Sequence, residues 1–133
     1  MTVKRKRHLL LVIAALLTGT VTLSLRTLRA VDSEAERELT IVARQMAFYV
    51  NGNLQPNPSI VFLPGEQIAI EFINRDRGVV HNFVIPAWNL RTDLLKGDGS
   101  SERLLFQVPL EPAKTDYTCS IHPTMMTGQV RIR

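Results

Sequence analysis

The chain holds one cysteine, set in Tyr117-Thr118-Cys119-Ser120-Ile121-His122-Pro123-Thr124-Met125-Met126. Cys119 stands three residues before His122, and His122 stands three before Met125. A second histidine, His81, lies upstream in His81-Asn82-Phe83-Val84-Ile85-Pro86. One thiolate, two imidazoles and a thioether are the donor set of an electron-transfer copper site. The spacing lets one short loop turn Cys119, His122 and Met125 toward a common point. His81 would close the site from a neighbouring loop, and the set expects one copper per domain.

In such a site the Cys119 thiolate is the strong donor, and a nearby metal ion keeps it deprotonated. His81 and His122 add two nitrogens to make a trigonal plane, with Met125 above it as a long, weak axial ligand. This arrangement suits neither copper oxidation state fully, so little has to move when an electron arrives or leaves. Taken singly, each residue has a plainer use. Cys119 would be a small buried residue, His81 a hydrogen-bonded strand histidine, and Met125 and Met126 core filler. The combination carries the inference. His8 falls in the N-terminal segment and has no role in it.

Short strands must hold these residues. Leu39–Val50 is rich in β-branched and aromatic residues and predicts one strand, ended by the turn signal Asn51-Gly52. Ser59–Leu63 predicts a second, stopped by Pro64-Gly65. Glu66–Ile73 alternates polar and apolar residues, as a strand with one buried face should. Asn74–Gly78 reads as a charged turn, and Val79–Ile85 as a strand holding or flanking His81. Pro86–Gly99 is irregular, with one helical turn expected around Leu90–Leu95 and Trp88 in the core. Glu102–Val108 alternates again, Pro109–Lys114 turns, Thr115–Cys119 leads into the ligand loop, and Gly128–Arg133 closes the domain. Roughly seven strands over about 95 residues predict an all-β domain, a Greek-key sandwich or barrel.

A length of 133 residues fits one folded domain, and a monomer is expected. Six of the 16 Lys and Arg residues fall within residues 1–30, where there is no acid. The remaining ten bases face 12 acids, so the basic balance belongs to the N-terminus. No aromatic residues interleave the basic run, and no nucleic-acid partner is expected. The run Lys4-Arg5-Lys6-Arg7 precedes the apolar stretch Leu9–Leu17 and a Thr-rich continuation to Leu25. A positive region before an apolar one is an export signal. Residues 9–25 could instead remain as a single membrane anchor helix, since a span needs about 17 residues at the least. Both outcomes stay open. Either way the positive-inside rule places the domain outside the cytoplasm, soluble after cleavage or anchored. Residues 31–38 (VDSEAERE) read as an acidic linker, and residues 39–133 as the domain. A lone cysteine in an exported domain forms no internal disulfide, and metal coordination would explain its presence.

At these residues the domain resembles the cupredoxins, the blue-copper family, from about residue 39 to the end. The resemblance rests on His81-Asn82, Gly65, the Tyr117-x-Cys119 approach, the ligand loop and Gly128 before the last strand. The ligand loop is most like that of amicyanin, which also has two residues between Cys and His and two between His and Met. The family implies a Greek-key β-sandwich with copper at one end, held by His81, Cys119, His122 and Met125. It also implies that Asn82 ties its loop to the Cys loop through Ser120, and that the Asn82 N–H donates to the Cys119 sulfur. His122 would be the solvent-side ligand through which electrons pass, with Pro123, Met126 and Ile85–Trp88 forming an apolar surround. Two departures stand out. Met126 follows Met125 directly, and loop length favours Met125 as the axial ligand, leaving Met126 at the surface beside His122. Ile121 stands where amicyanin and plastocyanin carry proline, so its N–H could add a second hydrogen bond to the sulfur.

The function implied is an exported mononuclear type 1 copper protein that shuttles single electrons, not an enzyme. Its partners would be redox proteins at the outer face of the membrane. A copper-binding and delivery protein could use the same ligands. A red-copper enzyme would need a carboxylate ligand, yet the nearest upstream acids, Glu111 and Asp116, lie outside the loop. A dinuclear centre needs two cysteines, which excludes this chain.

Overall fold

Alternation of apolar residues breaks the chain into eleven short strands, seen in a computed structural model that describes residues 35–133. The basic and apolar segment 1–30, read above as export signal or anchor, lies outside the described residues. In chain order the strands are β1 (Arg37–Arg44), β2 (Ala47–Val50), β3 (Ile60–Phe62), β4 (Gln67–Asn74), β5 (Val80–His81) and β6 (Val84–Ile85). They continue as β7 (Leu90–Arg91), β8 (Leu95–Lys96), β9 (Ser101–Gln107), β10 (Ala113–Thr118) and β11 (Thr127–Ile132). β1 starts at Arg37, so the last two residues of the acidic stretch 31–38 belong to the sheet. Arg37 is tied there by its ion pair with Glu66, 2.9 Å long.

One sheet runs β2-β1-β4-β9 and the other β3-β11-β10-β6-β7, with β5 and β8 pairing separately. β1 lies parallel to β4, and β3 parallel to β11, so the chain crosses between sheets rather than meandering. The longer strands turn apolar residues inward, with clean period-two alternation in β1 and β11. Leu39, Ile41 and Ala43 of β1 are buried, as are Ile68, Ile70 and Phe72 of β4 and Val130 and Ile132 of β11. Phe48, Phe83 and Tyr117 fill the space between, with edge-to-face contact of Phe48 on Phe83 and on Tyr117 at 5.6 Å. Such aromatic pairs add about 0.5–1.5 kcal/mol each beyond their burial.

Three departures from the expected strands have local causes. Leu39–Val50 is a hairpin, because the chain reverses at Gln45 (φ 51°) and Met46 (φ 58°) between the paired residues Arg44 and Ala47. Two successive left-handed residues make the tight turn whose twist matches the strands, a place usually taken by Asn-Gly. No such signal is present here; the Met46 N–H is instead held by the Asp76 carboxylate at 2.8 Å. Val79–Ile85 is split into β5 and β6, since β5 pairs with β8 while β6 joins β10. The helical turn expected around Leu90–Leu95 is a 3-10 turn at Pro86–Trp88, where proline favours the first position. Trp88, expected in the core, is partly buried at its edge, packed on Phe62 and Phe106.

Candidate metal centre

Cys119 follows the last residue of β10, and its loop is closed by short hydrogen bonds. The Cys119 N–H donates to the Met126 carbonyl at 3.0 Å, and the Met126 N–H donates to the His122 carbonyl at 2.9 Å. The Thr118 hydroxyl bonds the Met126 carbonyl at 3.0 Å, and the Thr127 hydroxyl bonds the Pro123 carbonyl at 2.6 Å. Residues 118–127 thus form a self-braced turn between two antiparallel strands. Asn57, left-handed at φ 47°, holds it from outside by donating from Nδ2 to the Met125 carbonyl at 2.9 Å. Beneath the loop, Gly128 lies opposite Tyr117, whose ring crosses it so closely that a Cβ there would sit 2.3 Å away. The Tyr117 hydroxyl donates to the Pro58 carbonyl at 2.6 Å, and burial pushes its pKa up.

His81 ends β5 and is fully buried. The next residues are fixed from both sides. Asn82 Oδ1 accepts from the Ser120 N–H at 2.9 Å and from the Ser120 hydroxyl at 3.0 Å, which is the tie expected between the two loops. Phe83 exchanges bonds of 2.9 Å with buried Thr92: its N–H meets the Thr92 hydroxyl, and its carbonyl meets the Thr92 N–H.

These supports bring His81, Cys119 and His122 together, with all three donor atoms within 4.8 Å of one another. The Cys119 Sγ lies 3.6 Å from His81 Nδ1 and 3.7 Å from His122 Nδ1, and the two nitrogens are 3.2 Å apart. A triangle with those sides has a centre about 2.0 Å from each corner, close to the roughly 2.0 Å and 2.3 Å of zinc–nitrogen and zinc–sulfur bonds. Asp76 orients the His81 ring. Its Nε2 lies 3.0 Å from Asp76 Oδ2, an oxygen that can only accept when ionised, and its Nδ1 faces the sulfur. Burial opposes ionisation of Asp76, but the bond from the Met46 N–H and the contact with His81 outweigh it and lower its pKa. Soft sulfur and two imidazole nitrogens aimed at one point are chemically suited to copper.

The methionines behave differently from expectation. Met126, expected at the surface, is fully buried in the cluster that also contains Cys119, whereas Met125 is 57% exposed. The bond from the Met126 N–H to the His122 carbonyl winds the turn once more and carries Met126 inward. The Cys119 sulfur also lacks both expected amide donors. Its hydrogen-bond contacts are with the two ring nitrogens, and neither the Asn82 nor the Ile121 N–H bonds it. Asn82 meets the Cys loop through its side-chain Oδ1, which accepts from Ser120. Of the apolar surround expected for His122, Met126 and Ile85 are fully buried, while Pro123 is exposed beside it, joined by exposed Ile121 and Met125. Asp76 was legible only as part of a charged turn. An acid five residues before a ligand histidine gains meaning once the Asn74–Gly78 loop is known to fold back on the ring.

No family model and no curated protein matches the chain. Solved structures do. Auracyanin of the photosynthetic bacterium Roseiflexus castenholzii superposes with a TM-score of 0.58 at 19% identity, covering 74% of this chain and 98% of that one. Rusticyanin from Thiobacillus ferrooxidans gives 0.54 at 22% identity, covering 72% and 76%. The McoA multicopper oxidase of Aquifex aeolicus gives 0.57 at 13% identity, covering 74% of this chain but 27% of that one. The fold is therefore an all-β, cupredoxin-like sandwich. The converging donors are of the kind and number to hold one copper per domain.

Proposed function

We propose that this chain is a mononuclear blue copper protein that carries single electrons. The observation that carries the reading is the convergence of Cys119 Sγ, His81 Nδ1 and His122 Nδ1, the first two fully buried, in a cupredoxin-like sandwich. Copper would supply the one-electron couple. The protein supplies three strong donors held in place by bonds that do not depend on the metal. Met126 is the axial candidate, because it is the methionine buried with Cys119. That assignment makes the loop one residue longer between His and Met than the amicyanin pattern. The likeness to amicyanin then rests on the Cys-to-His spacing alone.

His122 is the ligand with an accessible edge, and Ile121 and Met125 beside it are about half exposed. This small apolar margin supports docking of a redox partner over His122, with the partner outside the cytoplasm if residues 1–30 direct export. A carrier needs no bound substrate, and the reading includes none. Delivery of copper to another protein is the other use of the same ligands; tight retention of the ion through repeated redox cycles would count against it.

The test is a visible spectrum of the full chain loaded with Cu(II). An intense thiolate-to-copper charge-transfer band is expected, absent in Cys119→Ser while the all-β far-UV spectrum persists. Copper bound without that band would sink the type 1 assignment.

A further inference from the structure

His81 is more than a ligand with a buried ring; its far side is wired to a carboxylate. Its Nε2 lies 3.0 Å from Asp76 Oδ2, and the same oxygen accepts the Met46 N–H at 2.8 Å. The Asp76 backbone is held as well. Its N–H donates to Asn74 Oδ1 at 3.0 Å, and its carbonyl accepts the Val79 N–H at 2.9 Å. Asn74 is fully buried, and its Nδ2 reaches the Val79 carbonyl at 2.8 Å and the Leu95 carbonyl at 2.7 Å. Gly97 seals the arrangement, since a Cβ there would lie 1.7 Å from the Asp76 carbonyl oxygen. Met46, the Asn74–Asp76 turn and Gly97 come from three different segments and meet at Asp76: Met46 at its carboxylate, Asn74 and Gly97 at its backbone.

A neutral imidazole has one N–H and one lone pair. With the proton held at Nε2 by Asp76, the lone pair must be at Nδ1, where Cys119 and His122 converge. A carboxylate acceptor also raises the basicity of the opposite nitrogen more than a neutral acceptor would. A more basic nitrogen favours the more highly charged ion. We infer that Asp76 is the positioning residue of this centre: it sets the tautomer of His81 and biases the site toward Cu(II) over Cu(I). The inference rests on the copper reading above and adds to it a residue that sets the reduction potential from outside the ligand set. It also gives the left-handed Gln45–Met46 turn a use, because that turn is what aims the Met46 N–H at the carboxylate.

Asp76→Asn keeps the shape and removes the charge. In the full chain, Cu(II) affinity should fall at least about tenfold while Cu(I) affinity changes little, since lost outer contacts typically cost ~10–100-fold. A tenfold change in that ratio is about 59 mV of upward shift in potential for a one-electron couple. The blue band should remain. A merely structural contact would lower thermal stability and leave the potential where it was. A second measurement needs no variant and no copper. In the metal-free wild type, ¹⁵N resonances of the His81 ring should report the Nε2–H tautomer. An Nδ1–H tautomer there overturns the inference, as does an unshifted or lowered potential in a folded, blue Asp76→Asn protein. If that variant does not fold, the wild-type tautomer decides. A wild type lacking the charge-transfer band would fail differently, removing the copper reading and the inference with it.

Discussion

The two adjacent methionines separate cleanly by burial, and that difference predicts different chemistry. Met126→Gln should shift the copper spectrum and lower the potential, because a harder axial donor favours Cu(II). It should also cost about 1–3 kcal/mol of stability, since an amide replaces a thioether in a fully buried position. Met125→Gln, at a side chain 57% exposed, should change neither by much. Voltammetry and thermal melts on both variants check this, and the reverse pattern would return the axial role to Met125. Ile121 makes a related case. Its N–H does not bond the Cys119 sulfur, so Ile121→Pro should leave the potential within a few tens of mV, well under the roughly 59 mV of a tenfold change. A fall of that size on voltammetry would show that the amide reaches the sulfur after all. The three strong donors were legible because Cys and His are rare and their spacing is informative. The burial of Met126 rather than Met125 was not, because it depends on one extra turn of a loop whose geometry is set by hydrogen bonds.

At the scale of strands, the site hangs on the pairing of Tyr117 with Gly128. The Tyr117 ring lies across β11 with its hydroxyl on the Pro58 carbonyl, which leaves no room for a side chain at 128. Gly128→Ala places a methyl group 2.3 Å from the ring. Overpacking of this kind costs about 1–3 kcal/mol, and loss of the buried hydroxyl bond adds to it. A useful control is Gly52→Ala, where φ is +73° but nothing lies within 4 Å of the new methyl. Its cost is left-handed strain alone, about 1–2 kcal/mol. The distinguishing measurement is the copper spectrum together with urea titration. Gly128→Ala should perturb both, because β10 carries Cys119, while Gly52→Ala should lower stability and leave the spectrum alone. Strands with regular alternation, such as β4 and β9, could be read from residue pattern to within a residue or two at each end. The hairpin at Gln45–Met46 could not, because neither residue is a turn former. That turn is imposed by pairing of β1 with β2 and by Asp76, thirty residues further on.

In the whole domain, the donors come from separate parts of the chain. His81 ends β5, which pairs with β8, while Cys119 and His122 belong to the loop between β10 and β11 of the larger sheet. An ion held by all three would join these segments, and it could do so only in the folded state, since the unfolded chain separates His81 from Cys119 by 38 residues. Binding to the native state alone stabilises by mass action, by about 2.7 kcal/mol at a hundredfold excess of free ligand over its Kd. For a domain of this size that corresponds to a rise in Tm of roughly 10–20 °C. The metal-free protein should still melt cooperatively, because the bonds of Asn82, Thr92, Asn74 and Asp76 hold both loops without metal. Calorimetry on metal-free and Cu(II)-loaded protein checks both statements. His81→Ala should melt like the metal-free protein minus the cost of its lost packing, and its Tm should gain little from copper. Equal copper-induced gains in wild type and His81→Ala would mean that the ion binds elsewhere, and the centre assigned to His81, Cys119 and His122 would have to be abandoned.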